Sequence, residues 1–139
     1  MIDTPTQNER LLRLLQQAEE AATRAYAPYS RFRVGSALEL SNGEIVTGAN
    51  VENVSFGLTI CAERSALVTA VSRFGPDIRV VAAAITNLND SPSPPCGACR
   101  QVLAEFIAPD APVIFPAAGG LRTISFQELL PCSGDMQLK

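Results

Sequence analysis

Apolar residues recur with helical spacing at both ends of the chain. Each stretch opens with residues in the capping-box arrangement, Thr6 to Glu9 at the start and Ser125 to Glu128 near the end. The first predicted helix ends before Pro28, and the last ends at Pro131.

Two more helices are predicted in the middle of the chain. One begins at or next to Cys61 and ends at Gly75-Pro76. The other covers residues 102–107 and stops at Pro109.

Between the helices the pattern changes to that of β-strands. Residues 32–40 and 45–50 flank Asn42-Gly43, which predicts an antiparallel hairpin. Residues 80–86 predict a short buried strand, and a second hairpin is predicted within residues 112–124. The order of elements predicts an α/β fold with one mixed sheet of about five strands and helices on both faces.

Composition narrows the possible functions. At 139 residues, the chain 1–139 has the size of one domain. It contains no histidine, so any proton shuttle is expected to be a carboxylate. A net charge of −3 and an aromatic content of 6 % argue against a basic, aromatic-lined groove for nucleic acid.

Neither a secretory nor a membrane-spanning pattern is present in the sequence. The polar stretch Met1 to Arg10 lacks a basic segment followed by an apolar one. The longest aliphatic run, Val80 to Ile85, is far shorter than the roughly 20 residues of a membrane helix. We therefore expect a cytoplasmic protein without membrane contact, whose cysteines are free thiols or metal ligands.

The cysteines are the strongest chemical signal. Cys96 and Cys99 alone fit a redox dithiol, half of a structural zinc site or part of a catalytic one. Cys61 adds a third thiol at a helix start, and three ligands leave zinc the open position of catalytic sites. Cys132 is the only possible fourth thiol, and its place in the tail favours a free cysteine. Glu63 is interpreted either as a proton shuttle or as a carboxylate stabilised by the helix dipole.

These motifs resemble the zinc-dependent cytidine deaminases in their small homotetrameric form. The resemblance rests on Cys61-Ala62-Glu63 and on Pro95 to Gln101. It covers nearly the whole chain through four further segments: Ala25 to Ser30, Phe32 to Gly35, Asn50 to Asn53 and Leu129 to Pro131. It implies a three-layer α/β/α fold, a role in pyrimidine salvage and a homotetramer whose subunits complete one another's sites.

The resemblance also implies the chemistry. One zinc ion per chain would be held by Cys61, Cys96 and Cys99 and would lower the pKa of a bound water that attacks C4 of cytidine or 2′-deoxycytidine. Glu63 would carry protons from that water to N3 and then to the departing amine. The products would be uridine or 2′-deoxyuridine and ammonia.

Two residues next to these motifs are assigned supporting roles by the resemblance. Arg64 would offset the charge of three thiolates by donating to the ligand sulfurs, and Gln101 is a second candidate donor. Without the family, Arg64 would be an ordinary surface arginine and Gln101 a glutamine on a helix surface.

The same resemblance places the nucleoside. Asn50 and Glu52 would bind the ribose hydroxyls, Phe32 would pack at the base, and the backbone at Ala62 and at Ser93 to Pro95 would contact the base edge. Without the family, Asn50 and Glu52 would be solvated residues at a strand end, and Phe32 would be a core residue. A carboxylate next to the sugar favours free nucleosides over nucleotides.

Two positions depart from the family pattern. Gly134 stands where relatives often carry an aromatic residue that reaches into a neighbouring site, and Phe56 replaces a common tyrosine. Two alternatives to a cytidine deaminase stay open. One is a deaminase of another cytosine-bearing nucleoside, such as a nucleoside antibiotic; the other is a structural zinc or interaction module.

Overall fold

The computed structural model describes residues 6–131. The strands are β1 (Val34–Leu40), β2 (Ile45–Ala49), β3 (Val80–Asn87), β4 (Pro112–Ala117) and β5 (Gly120–Ser125). The helices are α1 (Gln7–Ala22), α2 (Ala62–Phe74), α3 (Gly97–Leu103) and α4 (Phe126–Leu129), with a 3₁₀ turn at Phe56–Leu58. No helix within residues 6–131 has the length and apolar character needed to cross a membrane.

All five strands belong to one sheet in the order β2-β1-β3-β4-β5. Strands β3 and β4 run parallel, with Ala83 opposite Val113, and every other neighbouring pair is antiparallel. The parallel pair is joined through α3, as a parallel connection requires a crossover. The predicted mixed α/β sheet of five strands is confirmed.

Helices cover both faces of the sheet. Helix α1 packs its apolar side on small residues of β1 and β3, whereas α2 and α3 pack on the opposite face. The approach of α1 is so close that a Cβ on Gly35 would lie 1.8 Å from the Ala18 carbonyl oxygen. On the other face a Cβ on Gly48 would lie 2.4 Å from the Ala66 nitrogen. Glycine is therefore required at both contacts.

The two predicted capping boxes differ in outcome. Thr6 caps α1, since its Oγ1 accepts the Glu9 N–H at 3.1 Å. Ser125 is the N-cap residue of α4, so the predicted helix start is confirmed, but the predicted capping bond is not formed: the Ser125 hydroxyl is buried without a partner among the described atoms. The first turn of α4 is capped by backbone instead, because the N–H groups of Phe126 and Gln127 donate to carbonyls of residues 111 and 109.

The third helix ends earlier than predicted. Helix α3 ends at Leu103, and the predicted helical residues 104–107 leave it. They do so because Val80 at the start of β3 donates to the Phe106 carbonyl at 2.8 Å and accepts from the Ala108 N–H at 3.2 Å. Long-range strand-like pairing thus overrides the local helical pattern. Cys132 and Gly134 lie outside the described residues.

Candidate active site

The N-termini of α2 and α3 bring three cysteines together. Cys61 is the N-cap residue of α2 and Cys96 is the N-cap residue of α3. The Cys96 sulfur accepts the Cys99 N–H at 3.3 Å, which fixes the first turn of α3. The sulfurs of Cys61 and Cys96 are 3.7 Å apart, those of Cys96 and Cys99 are 3.1 Å apart, and all three lie within 4.8 Å of one another.

This thiol cluster fits a zinc ion. Zinc–sulfur bonds of about 2.3 Å in a tetrahedron place sulfurs about 3.8 Å apart, close to the spacing of Cys61 and Cys96. Within residues 6–131 the cluster offers three protein ligands, and three ligands leave a fourth position open, which is the arrangement of catalytic rather than structural sites. The surroundings of Cys61 favour its ionisation, because the hydrogen bonds from Cys99 and then Arg64 lower the pKa of Cys61 to about 5. The pKa of Cys99 is raised by that same bond to Cys61 and by burial.

Arg64 and Gln101 are placed differently with respect to the cluster. The Nη2 atom of Arg64 donates to the Cys61 sulfur at 3.5 Å and to the Thr59 carbonyl oxygen at 3.3 Å. The hydrogen bond to Cys61 raises the pKa of Arg64. Gln101 is exposed on α3, and no hydrogen bond joins its side chain to the thiols in the part of the chain that the structure describes.

Glu63 is a buried carboxyl beside the thiols. It lies in the first turn of α2, is 4 % exposed and lines the same cavity as Cys61 and Cys96. Burial raises the pKa of the Glu63 carboxyl above its ordinary value. A carboxyl in such surroundings is suited both to accept and to return a proton.

The cavity above Glu63 has a volume of about 280 Å³. Phe32, Val34, Ile85 and Pro94 form its apolar walls. Polar lining comes from Ser30, Asn50, Glu52, Thr59, Glu63 and Ser93. Ala62 also lines it and belongs to the first helical turn, where backbone N–H groups have no intrahelical partner. The volume is that of a pocket for one small molecule.

The two residues predicted to bind ribose already have protein partners. Asn50 is buried; its Oδ1 accepts the Val34 N–H at 2.8 Å and its Nδ2 donates to the Phe32 carbonyl at 2.9 Å. One amide hydrogen and one oxygen lone pair of Asn50 remain for a ligand. Glu52 accepts from the backbone N–H groups of Tyr29 and Ser30, both at 3.1 Å.

Ser30 is a site residue to which sequence reasoning gave no role. Its hydroxyl donates to Glu52, and this bond is the largest cause of the lowered pKa of that carboxyl. Ser30 is 22 residues from Glu52, so no local spacing links the two. The sequence signal was only that Ser30 stands in one of the segments that resemble the family.

Comparison with known proteins agrees with this geometry. The family model for the cytidine and deoxycytidylate deaminase zinc-binding region matches residues 8–115. A cytidine deaminase of Halalkalibacterium halodurans is 48% identical over 119 residues, covering 85% of this chain and 89% of that protein. The crystal structure of a cytidine deaminase from Burkholderia pseudomallei has a TM-score of 0.79 and 40% identity, covering 92% of this chain and 98% of that one. A blasticidin-S deaminase of Bacillus cereus is 30% identical over an alignment of 126 residues, and the match covers 86% of this chain and 89% of that protein.

A helix-covered sheet that presents three thiols and a buried glutamate at two helix N-termini is the arrangement of zinc-dependent deaminases. The chain belongs to the cytidine and deoxycytidylate deaminase family.

Proposed function

We propose that the chain deaminates cytidine and 2′-deoxycytidine hydrolytically to uridine and 2′-deoxyuridine, releasing ammonia in pyrimidine salvage. The observation that carries the proposal is the meeting of three thiols and buried Glu63 at a cavity of about 280 Å³. We place the enzyme in the cytoplasm, because thiol ligands are kept reduced there.

In this proposal Cys61, Cys96 and Cys99 hold one zinc ion per chain. When bound, zinc supplies the Lewis acidity that makes a water molecule nucleophilic near neutral pH. Three thiolates carry one negative charge more than the metal neutralises, and Arg64 reduces that excess through its hydrogen bond to Cys61.

Glu63 moves the protons of the reaction. Its carboxylate accepts a proton from the attacking water and delivers it to N3 of the cytosine while a C4–O bond forms. It then carries the remaining hydroxyl proton to the exocyclic amine, the C4–N4 bond breaks, and C4 becomes a carbonyl. Ala62 lines the same cavity in the first turn of α2, where backbone N–H groups have no intrahelical partner, and its N–H would bind the base edge.

Asn50, Glu52 and Phe32 select the nucleoside. All three line the cavity, and Glu52 keeps acceptor capacity for ribose hydroxyls beyond its bonds to residues 29 and 30. Its negative charge repels a phosphate, which favours free nucleosides over nucleotides and nucleic acid. Phe32 adds an apolar wall on which a base can pack.

We further propose a homotetramer whose subunits complete one another's cavities. Support comes from an exposed apolar segment before α2, in which Val54 is 77%, Phe56 79% and Leu58 66% exposed. Large apolar side chains that are contiguous and exposed mark interaction surfaces. The segment directly precedes Thr59 and Cys61, which line the cavity.

A substrate panel tests the assignment. Purified, zinc-loaded protein is given cytidine, 2′-deoxycytidine, cytidine 5′-monophosphate and blasticidin S, and loss of the cytosine absorbance is followed. The proposal predicts turnover of the two nucleosides and far weaker turnover of the nucleotide. Turnover of blasticidin S alone would overturn it in favour of a nucleoside-antibiotic deaminase, the activity named for the Bacillus cereus relative.

A further inference from the structure

Two asparagine side chains bracket the cavity residue Phe32 from different directions. Asn50 bonds to the Phe32 carbonyl and the Val34 N–H, as described above. Asn89 makes the same pair of bonds one residue earlier: its Nδ2 donates to the Arg31 carbonyl at 3.0 Å and its Oδ1 accepts the Arg33 N–H at 3.1 Å. A side-chain amide has one donor and one acceptor edge, so each asparagine replaces a peptide unit of a neighbouring strand.

The bracketed segment needs such support. It precedes β1, which begins only at Val34, and Arg31 has a φ of 59°. A non-glycine residue in this left-handed region stores strain and persists only where its surroundings hold it. The Asn89 side-chain amide donates a hydrogen bond to the carbonyl of Arg31, the strained residue.

Asn89 also connects Phe32 to a second segment that lines the cavity. Its backbone N–H donates to the Asn87 Oδ1 at 2.9 Å. The Asn87 Nδ2 in turn donates to the Ser91 carbonyl at 2.7 Å and to the Ser93 hydroxyl at 3.0 Å. Ser93 and its neighbour Pro94 line the same cavity as Phe32.

We propose that Asn89, acting with Asn87, is a positioning residue that fixes the distance between Phe32 and Ser93, the two lining residues between which the nucleoside binds. The inference rests on the proposed function, because it concerns binding of the substrate assigned there. Asn87 and Asn89 do not line the cavity, so both act through the lining residues Phe32 and Ser93. The thiols and Glu63 stand on other elements, at the starts of α2 and α3, and are held without Asn89.

The test separates binding from turnover. Asn89→Ala should raise the KM for cytidine about tenfold, the loss expected for two hydrogen bonds, and leave kcat within about a factor of two. Asn89→Asp, which keeps the acceptor for Arg33 and loses the donor for Arg31, should fall between wild type and Asn89→Ala. Asn42→Ala is the matched control, because Asn42 is also an exposed turn residue whose Oδ1 accepts a backbone N–H, that of Glu44.

A second readout does not depend on the reaction. The Arg33 amide donates to Asn89, so its hydrogen exchange should accelerate in Asn89→Ala and not in Asn42→Ala. If wild type does not turn over cytidine but Arg33 exchange is accelerated in Asn89→Ala, the proposed function is overturned and the hydrogen bonds of Asn89 are still supported. If wild type is active and Asn89→Ala has the KM of wild type, the positioning role is overturned. It is also overturned if Asn89→Ala loses zinc and its kcat falls as much as its KM rises.

Discussion

The Nη2 atom of Arg64 donates a hydrogen bond to the sulfur of Cys61 at 3.5 Å. The same atom bonds to the Thr59 carbonyl oxygen, so the guanidinium is held in place from a second side. This contact brings a positive charge to a cluster that becomes negative when its thiols ionise. We therefore propose that Arg64 adjusts the charge at the cluster through its hydrogen bond to Cys61.

Replacing Arg64 by glutamine should weaken the metal centre. We expect zinc affinity or turnover to fall by about 10- to 100-fold, the usual effect of losing a partner of a metal ligand. Competition with a chromogenic chelator measures the affinity. Arg13→Gln, an exposed position on α1, is the control and should match wild type. Equal zinc affinity and turnover in Arg64→Gln and Arg13→Gln would contradict this role.

The pH dependence of substrate binding should report on Ser30. The Ser30 hydroxyl lowers the pKa of Glu52, so Glu52 stays ionised to a lower pH than an ordinary glutamate. Ser30→Ala removes that bond, and Glu52 then protonates at a higher pH and loses its acceptor capacity for ribose sooner. The KM ratio of Ser30→Ala to wild type should therefore grow between about pH 7 and pH 5. Ser41→Ala, an exposed turn serine, should give a flat ratio; a flat ratio for Ser30→Ala would contradict the linkage.

The packing of α1 on the sheet predicts a stability defect. Gly35→Ala would place a Cβ 1.8 Å from the Ala18 carbonyl oxygen, so backbone must move. We expect a loss of about 3 kcal/mol in the free energy of unfolding, measured by urea titration. Gly119→Ala is the control, because a Cβ there meets nothing within 4 Å. Equal stability of the two variants would show that α1 packs less closely than described.

The exposed apolar segment predicts assembly. Phe56→Asp should shift the protein from tetramer to smaller species in sedimentation velocity, since a charge cannot be buried there without a partner. Leu121→Asp is the control, because Leu121 is also an exposed apolar residue, 54% accessible, but lies on β5. An unchanged tetramer for Phe56→Asp, or a monomeric wild type, would contradict the proposed assembly.

The sequence pattern predicted the turns and helix starts that depend on interactions between neighbouring residues. The Asn42-Gly43 hairpin and the start of α2 at Cys61 both depend on residues next to them in sequence, and both are confirmed. The predicted end of α3 and the predicted side-chain cap of α4 were wrong. Val80 pairs with the backbone of residues 106 and 108, and the carbonyls of residues 109 and 111 accept the first N–H groups of α4. Such partners are distant in sequence and leave no periodic trace.

In the candidate site, too, the residues found from the sequence are those in short local motifs. Cys61, Cys96, Cys99 and Glu63 were identified from short motifs, since two helix starts carry all of them. The supports of the cavity were not, because they join distant segments: Ser30 with Glu52, and Asn89 with residues 31 and 33. Asparagine in a turn-rich stretch is too common for its sequence alone to mark such a role.

The most direct test of Glu63 as the proton carrier of a zinc-dependent deaminase is the turnover and zinc content of Glu63→Gln beside wild type and Glu9→Gln. Glu9 is also a first-turn glutamate, on α1, and serves as the matched control. The proposed mechanism predicts one zinc ion per chain in all three proteins. It also predicts conversion of cytidine to uridine by wild type and Glu9→Gln, with a loss of at least about 100-fold in Glu63→Gln. Near-wild-type turnover by zinc-loaded Glu63→Gln, or no conversion by zinc-loaded wild type, would contradict it.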